Sequence, residues 1–265
     1  RLLSALPAGE LPRLEQIHID GGVLLFAMAV SLGVALAFGV LPALRAAGED
    51  DFVEELVSGF GTFPAYFARL PEINRLGPTP IDTLPPLPRL DPRTVAARMP
   101  AGAVLIDARP VAAFSAGHVP GSLSNTLRPV FGSWLGWLVT PDTPLVFILD
   151  GSQDRAELVR QCLDVGHEHL VGELDGGVAA WASSGRPVET FPLVRTIRPG
   201  ETLLDVRQAG EYATGHVPGA RNVELATLAS EPLDAGPTVV MCGHGERAMT
   251  GASILARQGG QPTVF

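Results

Sequence analysis

Leu105-Ile106-Asp107-Ala108-Arg109 with Gly117-His118-Val119-Pro120-Gly121, and again Leu203-Leu204-Asp205-Val206-Arg207 with Gly215-His216-Val217-Pro218-Gly219, are one phrase written twice. The two copies stand 98 residues apart, and Phe114 and Tyr212 keep the same place within them. Agreement of this kind marks an internal repeat, so the chain carries two versions of one domain. Each version reads alike. A buried strand (Ala103 to Ile106; Thr202 to Leu204) ends at Asp-x-Arg, a short helix follows, and Gly-His-Val-Pro-Gly turns into a second strand. A third strand (Pro144 to Leu149; Thr238 to Met241) runs into a glycine-containing loop and then a helix (Ala156 to Leu163; Ala248 to Gln258). Apolar runs alternating with helical patterns predict parallel strands covered by helices, an α/β domain of about 100 residues in each copy.

In a parallel α/β domain, ligands gather beyond the carboxyl ends of the strands, where loops enter helix N-termini. The second copy places Cys242 there, at the head of Cys242-Gly243-His244-Gly245-Glu246-Arg247. Glycines at 243 and 245 let successive N–H groups turn inward, and the following helix adds its positive end, an environment that favours a thiolate. Arg247 offers a planar fork of donors to an oxyanion. The arrangement is a nucleophile inside an anion cradle, with Gly243, His244, Gly245, Glu246 and Arg247 as candidate substrate-binding residues. A thiolate there can take the outer sulfur of thiosulfate, release sulfite and hold a persulfide until an acceptor removes it. No metal or organic cofactor is required. In the first copy the matching loop is Asp150-Gly151-Ser152-Gln153-Asp154-Arg155. Asp150 stands at the nucleophile position, and a carboxylate cannot carry a persulfide. Ser152 has no neighbouring base, and Cys162 reads as core beside Leu158 and Leu163. The Asp107/Arg109 and Asp205/Arg207 pairs occur in both copies, which predicts a salt bridge or helix cap; Arg207 additionally lends positive potential near the loop. His118 and His216 are expected to bond the turn backbone.

Strand, Cys-x-x-x-x-Arg loop and helix, preceded by Asp-x-Arg and Gly-His-x-Pro-Gly, resemble the rhodanese (sulfurtransferase) family. The resemblance spans about Leu90 to Phe265. It implies two rhodanese-like domains: residues 91–190, inactive, and 191–265, carrying the Cys loop and ending short of the Gly-Gly and Trp segment seen at Leu174 to Trp181 in the first. Without that closing turn and helix, the last strand is expected to lack a covering element. A six-residue loop in this family goes with sulfur transfer, whereas related phosphatases use a loop one residue longer. The expected activity moves sulfane sulfur from thiosulfate or a persulfide to a thiol or cyanide through a Cys242 persulfide. The alternatives are a non-catalytic sensor or regulatory module, and a small-oxyanion phosphatase or arsenate reductase.

A formal net charge of -9 and a pI near 5.1 leave no basic face for a polynucleotide. The two cysteines fall in different repeats, which excludes a disulfide framework and a cysteine zinc site. Partners are therefore a small sulfur-containing anion and a thiol acceptor. Ahead of the repeats, no charged residue lies between Asp20 and Arg45. Residues 22–44, within a hydrophobic segment 1–48, predict a membrane-spanning helix, with a buried helix as the other reading. Residues 11–47 resemble a transmembrane segment of ABC-type permeases of the lipoprotein and macrolide exporter class. Residues 49–90 read as a linker: an amphipathic stretch from Phe52, aromatics at Phe60, Phe63, Tyr66 and Phe67, and a proline-rich run Pro78 to Pro92. Phe63 to Pro78 is similar to the piece joining a metallo-β-lactamase-fold domain to a rhodanese domain in fused sulfur-metabolism proteins; the metal-binding half is not present in this sequence. Membrane attachment with the paired domains in the cytoplasm is expected, with a cytoplasmic protein as the alternative.

Overall fold

The computed structural model describes residues 21–40, 53, 54, 56, 63–77, 83–232 and 236–265. The chain divides into two compact units, Arg1–Gly61 and Thr62–Phe265.

In the first unit, Gly21–Ala35 is an α-helix of 15 residues that passes into a π-helical turn, Leu36–Val40. At 1.5 Å per residue the α-helix rises about 22 Å, against about 30 Å of bilayer hydrocarbon. Among the described residues no helix is long and apolar enough to cross a membrane, and the span expected over 22–44 runs on into residues outside them. Gly33, Val34, Gly39 and Val40 are weak helix formers, and the regular ladder gives way among them. Residues 41–44 lie outside the described residues, as do Phe52, Phe60 and 78–82.

The second unit holds both repeats. Its first sheet consists of β1 (Arg89–Leu90), β2 (Val104–Asp107), β3 (Leu123–Ser124), β4 (Leu145–Ile148) and β5 (Leu170–Leu174), in the spatial order β1-β5-β4-β2-β3. All pairings are parallel. The central β4 is buried along its whole length, as a strand covered on both faces must be, and its side chains alternate between two cores. Leu145 and Phe147 join one cluster, Val146 and Ile148 the other. The linker expected through residue 90 therefore ends earlier, because Arg89 and Leu90 pair with Glu173 and Leu174 as the edge strand. Upstream, Ala65–Arg69 and Leu70–Leu76 are helical, and Tyr66 packs so closely on Gly136 that any side chain at 136 would overlap its ring.

The second sheet contains β6 (Thr202–Asp205), β7 (Arg221–Asn222), β8 (Thr238–Met241) and β9 (Pro262–Val264), ordered β7-β6-β8-β9 and again all parallel. Its four strands repeat β3, β2, β4 and β5 of the first sheet in the same spatial order. The edge of β9 is paired: Leu193 bridges Val264 in parallel, with Val194 N–H donating to Val264 O at 2.8 Å and Val264 N–H to Pro192 O at 3.0 Å. Leu193 thus plays the part that β1 plays in the first sheet. The segment joining the domains thus returns to pair the free edge of the last strand; the closing turn and helix seen at Leu174 to Trp181 have no part in this pairing.

The helix Glu246–Arg257 binds the halves together. Ala248 to Leu255 are all buried, as expected of a helix packed on all sides. One face meets Val206, Leu228 and Val240; on another, Ser253 Oγ accepts the N–H of Ser124 in β3 at 3.1 Å. Ile106, Phe114, Leu135 and Phe147 of the first domain and Leu204, Val240, Met249 and Val264 of the second belong to one hydrophobic cluster. The paired domains share a core.

Candidate active site

The repeated Asp-x-Arg and Gly-His-Val-Pro-Gly residues make the same network twice. Arg109 forks onto Asp107 and donates to Gly117 O at 2.8 Å; Arg207 forks onto Asp205 and donates to Gly215 O at 2.9 Å. His118 Nδ1 donates to Phe114 O and His216 Nδ1 to Tyr212 O, each at 3.0 Å. Each imidazole also stacks on the ring of that same residue. The histidines bond the preceding helix rather than the turn, which corrects the expected partner while keeping the role structural. Arg207 is held by Asp205, so its part at the site is confined to its positive charge.

Cys242 follows the last residue of β8 and is partly exposed. The loop then brings two backbone amides to its sulfur: Gly245 N–H at 3.1 Å and Ala248 N–H at 3.3 Å. Gly245 makes this turn with φ +94°, a left-handed conformation that costs an L side chain about 1–2 kcal/mol. As the N-cap of Glu246–Arg257, Gly245 has no side chain to offer the first-turn amides. Cys242 Sγ takes the place of a capping oxygen. The amides and the positive helix end both face the sulfur, an arrangement suited to an anion. His244 is exposed and Gly243 lies open beside Arg247; Glu246 occupies the first helical turn.

The first-domain loop is filled by its own side chains. Ser152 N–H and Oγ–H both donate to Asp150 Oδ1, at 2.8 and 2.7 Å, and hold that carboxyl below its usual pKa. Asp154 caps the helix Arg155–Asp164 through Ala156 and Glu157 N–H. Here a carboxylate does what the sulfur does in the second domain. Cys162 is fully buried, and burial pushes its thiol up to about 12, so it is no nucleophile.

Two residues of the site were not read from the sequence. Glu211, in the short helix Ala209–Thr214, takes the Arg247 fork in a two-point ion pair, Nη1 to Oε2 at 2.5 Å and Nη2 to Oε1 at 2.8 Å. This holds the Glu211 carboxyl down at about 2. Trp134, from the first-domain helix Phe131–Leu138, lies with its ring centre 6.0 Å from the Arg247 guanidinium carbon, within cation–π range. Position 211 is where the first copy has Ala113, a difference the repeat makes visible; Trp134 sits on an α-helix whose place in the second copy holds, among the described residues, only the short 3-10 turn Leu228–Ser230, and it leaves no such signal. No group of three or more His, Cys, Asp or Glu suited to a metal occurs among the described residues.

Fold and site together define a tandem parallel α/β protein that presents one amide-cradled thiol beside a copy of the same loop headed by Asp150. The profile of the Rhodanese-like domain family matches residues 91–184 and 193–265, well over half of the chain, and the chain belongs to that family. It is 38% identical over 64 residues to the Thiosulfate sulfurtransferase GlpE of Pseudomonas putida (strain GB-1), covering 23% of this chain and 57% of that enzyme. It is 41% identical over 81 residues to an HTH-type transcriptional regulator of Mycobacterium tuberculosis, covering 29% of this chain and 34% of that protein. The chain thus spans little more than half the length of the sulfurtransferase relative it matches. Among solved structures, a thiosulfate sulfurtransferase from Pseudomonas aeruginosa aligns with 22% identity and a TM-score of 0.32, over 75% of this chain and 45% of that one.

Proposed function

We propose that the chain is a sulfurtransferase working through a persulfide on Cys242. The observation that carries this reading is the pair of backbone amides on Cys242 Sγ at a helix N-terminus, a cradle for anionic sulfur that the first domain lacks. With thiosulfate, the thiolate attacks the sulfane sulfur; an S–S bond forms to Cys242, the bond to the sulfonate sulfur breaks with its electron pair, and sulfite leaves. With an organic persulfide, the same attack releases a thiolate. The Cys242 persulfide then gives its outer sulfur to cyanide, forming thiocyanate, or to a thiol, forming a new persulfide, and the thiolate is regenerated. No step needs an oxidant or a metal.

Incubation with thiosulfate or glutathione persulfide is expected to raise the mass of the intact protein by one sulfur atom, and cyanide to remove it as thiocyanate. Cys242→Ser should abolish both at unchanged fold. A wild-type protein that gains no sulfur from either donor would sink the proposal. The likeness to a transcriptional regulator favours a second reading, a regulatory module that binds without turnover, and a folded wild-type protein inert to both donors is the result that would support it.

A further inference from the structure

Arg247 is the side chain by which the loop would greet an incoming anion, yet its fork is already engaged. Both terminal nitrogens are given to Glu211, at 2.5 and 2.8 Å, and Trp134 lies over the guanidinium. Glu211 is itself fixed, because it accepts the Gln208 N–H at 3.3 Å and completes a capping box on its helix. The pair belongs to the thiol-bearing copy alone: position 113 is alanine, and Arg155 turns instead to Glu173 at 2.7 Å. At the mouth of the loop, therefore, Arg247 and Glu211 cancel as Arg207 and Asp205 do beside them, and the sulfur retains only backbone donors.

That balance discriminates between donors. Thiosulfate is a dianion whose sulfonate must sit beside the sulfur under attack, so it must either displace a carboxylate from a two-point pair or approach Glu211 unshielded. An organic persulfide carries its transferable sulfur on a thiol, with no oxyanion at the reacting end, and leaves the pair intact. We infer that Glu211 is a specificity-determining residue that, acting through Arg247, reserves the Cys242 loop for thiol-borne sulfane sulfur over sulfonate-borne sulfur. This rests on the reading of Cys242 as the sulfur carrier.

The test is steady-state thiocyanate formation by the full chain, with thiosulfate and with glutathione persulfide as donors. Wild type should prefer the persulfide in kcat/KM. Glu211→Gln keeps an acceptor for the helix cap and removes the charge. It should raise the thiosulfate-to-persulfide ratio of kcat/KM about tenfold, chiefly through a lower KM for thiosulfate, and sharpen inhibition by sulfite. Glu211→Asp, which keeps the charge, should fall back toward the wild-type ratio. If Glu211→Gln loads sulfur but leaves the ratio and the sulfite inhibition at wild-type values, the inference is overturned while the Cys242 reading stands. If wild type takes sulfur from neither donor, both are overturned.

Discussion

At the scale of single residues, one sulfur atom does two jobs. Cys242 Sγ is the candidate nucleophile and also the acceptor that closes the N-terminus of its own helix, through the amides of Gly245 and Ala248. The cradle depends on the left-handed Gly245, the one backbone position in the loop where a side chain is refused on conformational grounds. Gly245→Ala is expected to cost about 1–2 kcal/mol in the folded loop. It should also slow sulfur loading by about tenfold or more, since a loop that relaxes its φ pulls its amide off the sulfur. Stopped-time mass spectrometry of the persulfide, alongside urea unfolding, separates the two effects. Loading at the wild-type rate in a folded Gly245→Ala protein would show that the amide does not matter.

At the scale of elements, the helix Glu246–Arg257 decides how the halves depend on each other. Ser253 Oγ receives the Ser124 N–H of β3 and donates onward to Thr250 O at 2.6 Å, in a fully buried setting. Ser253→Ala would leave that N–H without a partner and is expected to destabilise the chain by about 1–3 kcal/mol, read as a lower urea midpoint. A midpoint unmoved by the change would mean that the bond contributes nothing across the domain boundary. The elements themselves were legible beforehand. Strand–loop–helix units at Thr238 to Gln258 and at Pro144 to Leu163 fall within a residue or two of the observed ones, because parallel strands buried on both faces read as unbroken apolar runs. What the sequence hid was lateral. Nothing in Trp134, Leu193 or Glu211 announces a partner tens of residues away, since ion pairs and edge bridges carry no periodicity. The apolar run after Asp20 reads from its composition as one span, whereas its described part passes from α- to π-helical pitch at Leu36, which hydropathy does not report.

At the scale of the whole molecule, the buried histidines set an acid limit. His118 and His167 are almost wholly buried, and burial holds both below the usual 6.5 of an imidazole. The unfolded chain therefore binds protons that the folded chain refuses, so stability falls as the pH drops below about 6.5. Glu211 adds a second, lower window: held at about 2 against 4.5, it contributes stability above 4.5 that is lost as the pH falls toward 2. Urea midpoints should decline from pH 7.5 to 5.5, and less steeply in His167→Leu, which removes one of the two buried rings. A flat wild-type profile over that range would refute the assignment. The position of Trp134 carries a further consequence. The copy whose loop is headed by Asp150 supplies a wall beside Arg247 and the seat of the helix that follows Cys242, so a change to either surface of the first domain reaches the loop of the second. The two copies are therefore not separable parts: cutting between them would strip the Cys242 loop of Trp134 and its helix of the Ser124 contact.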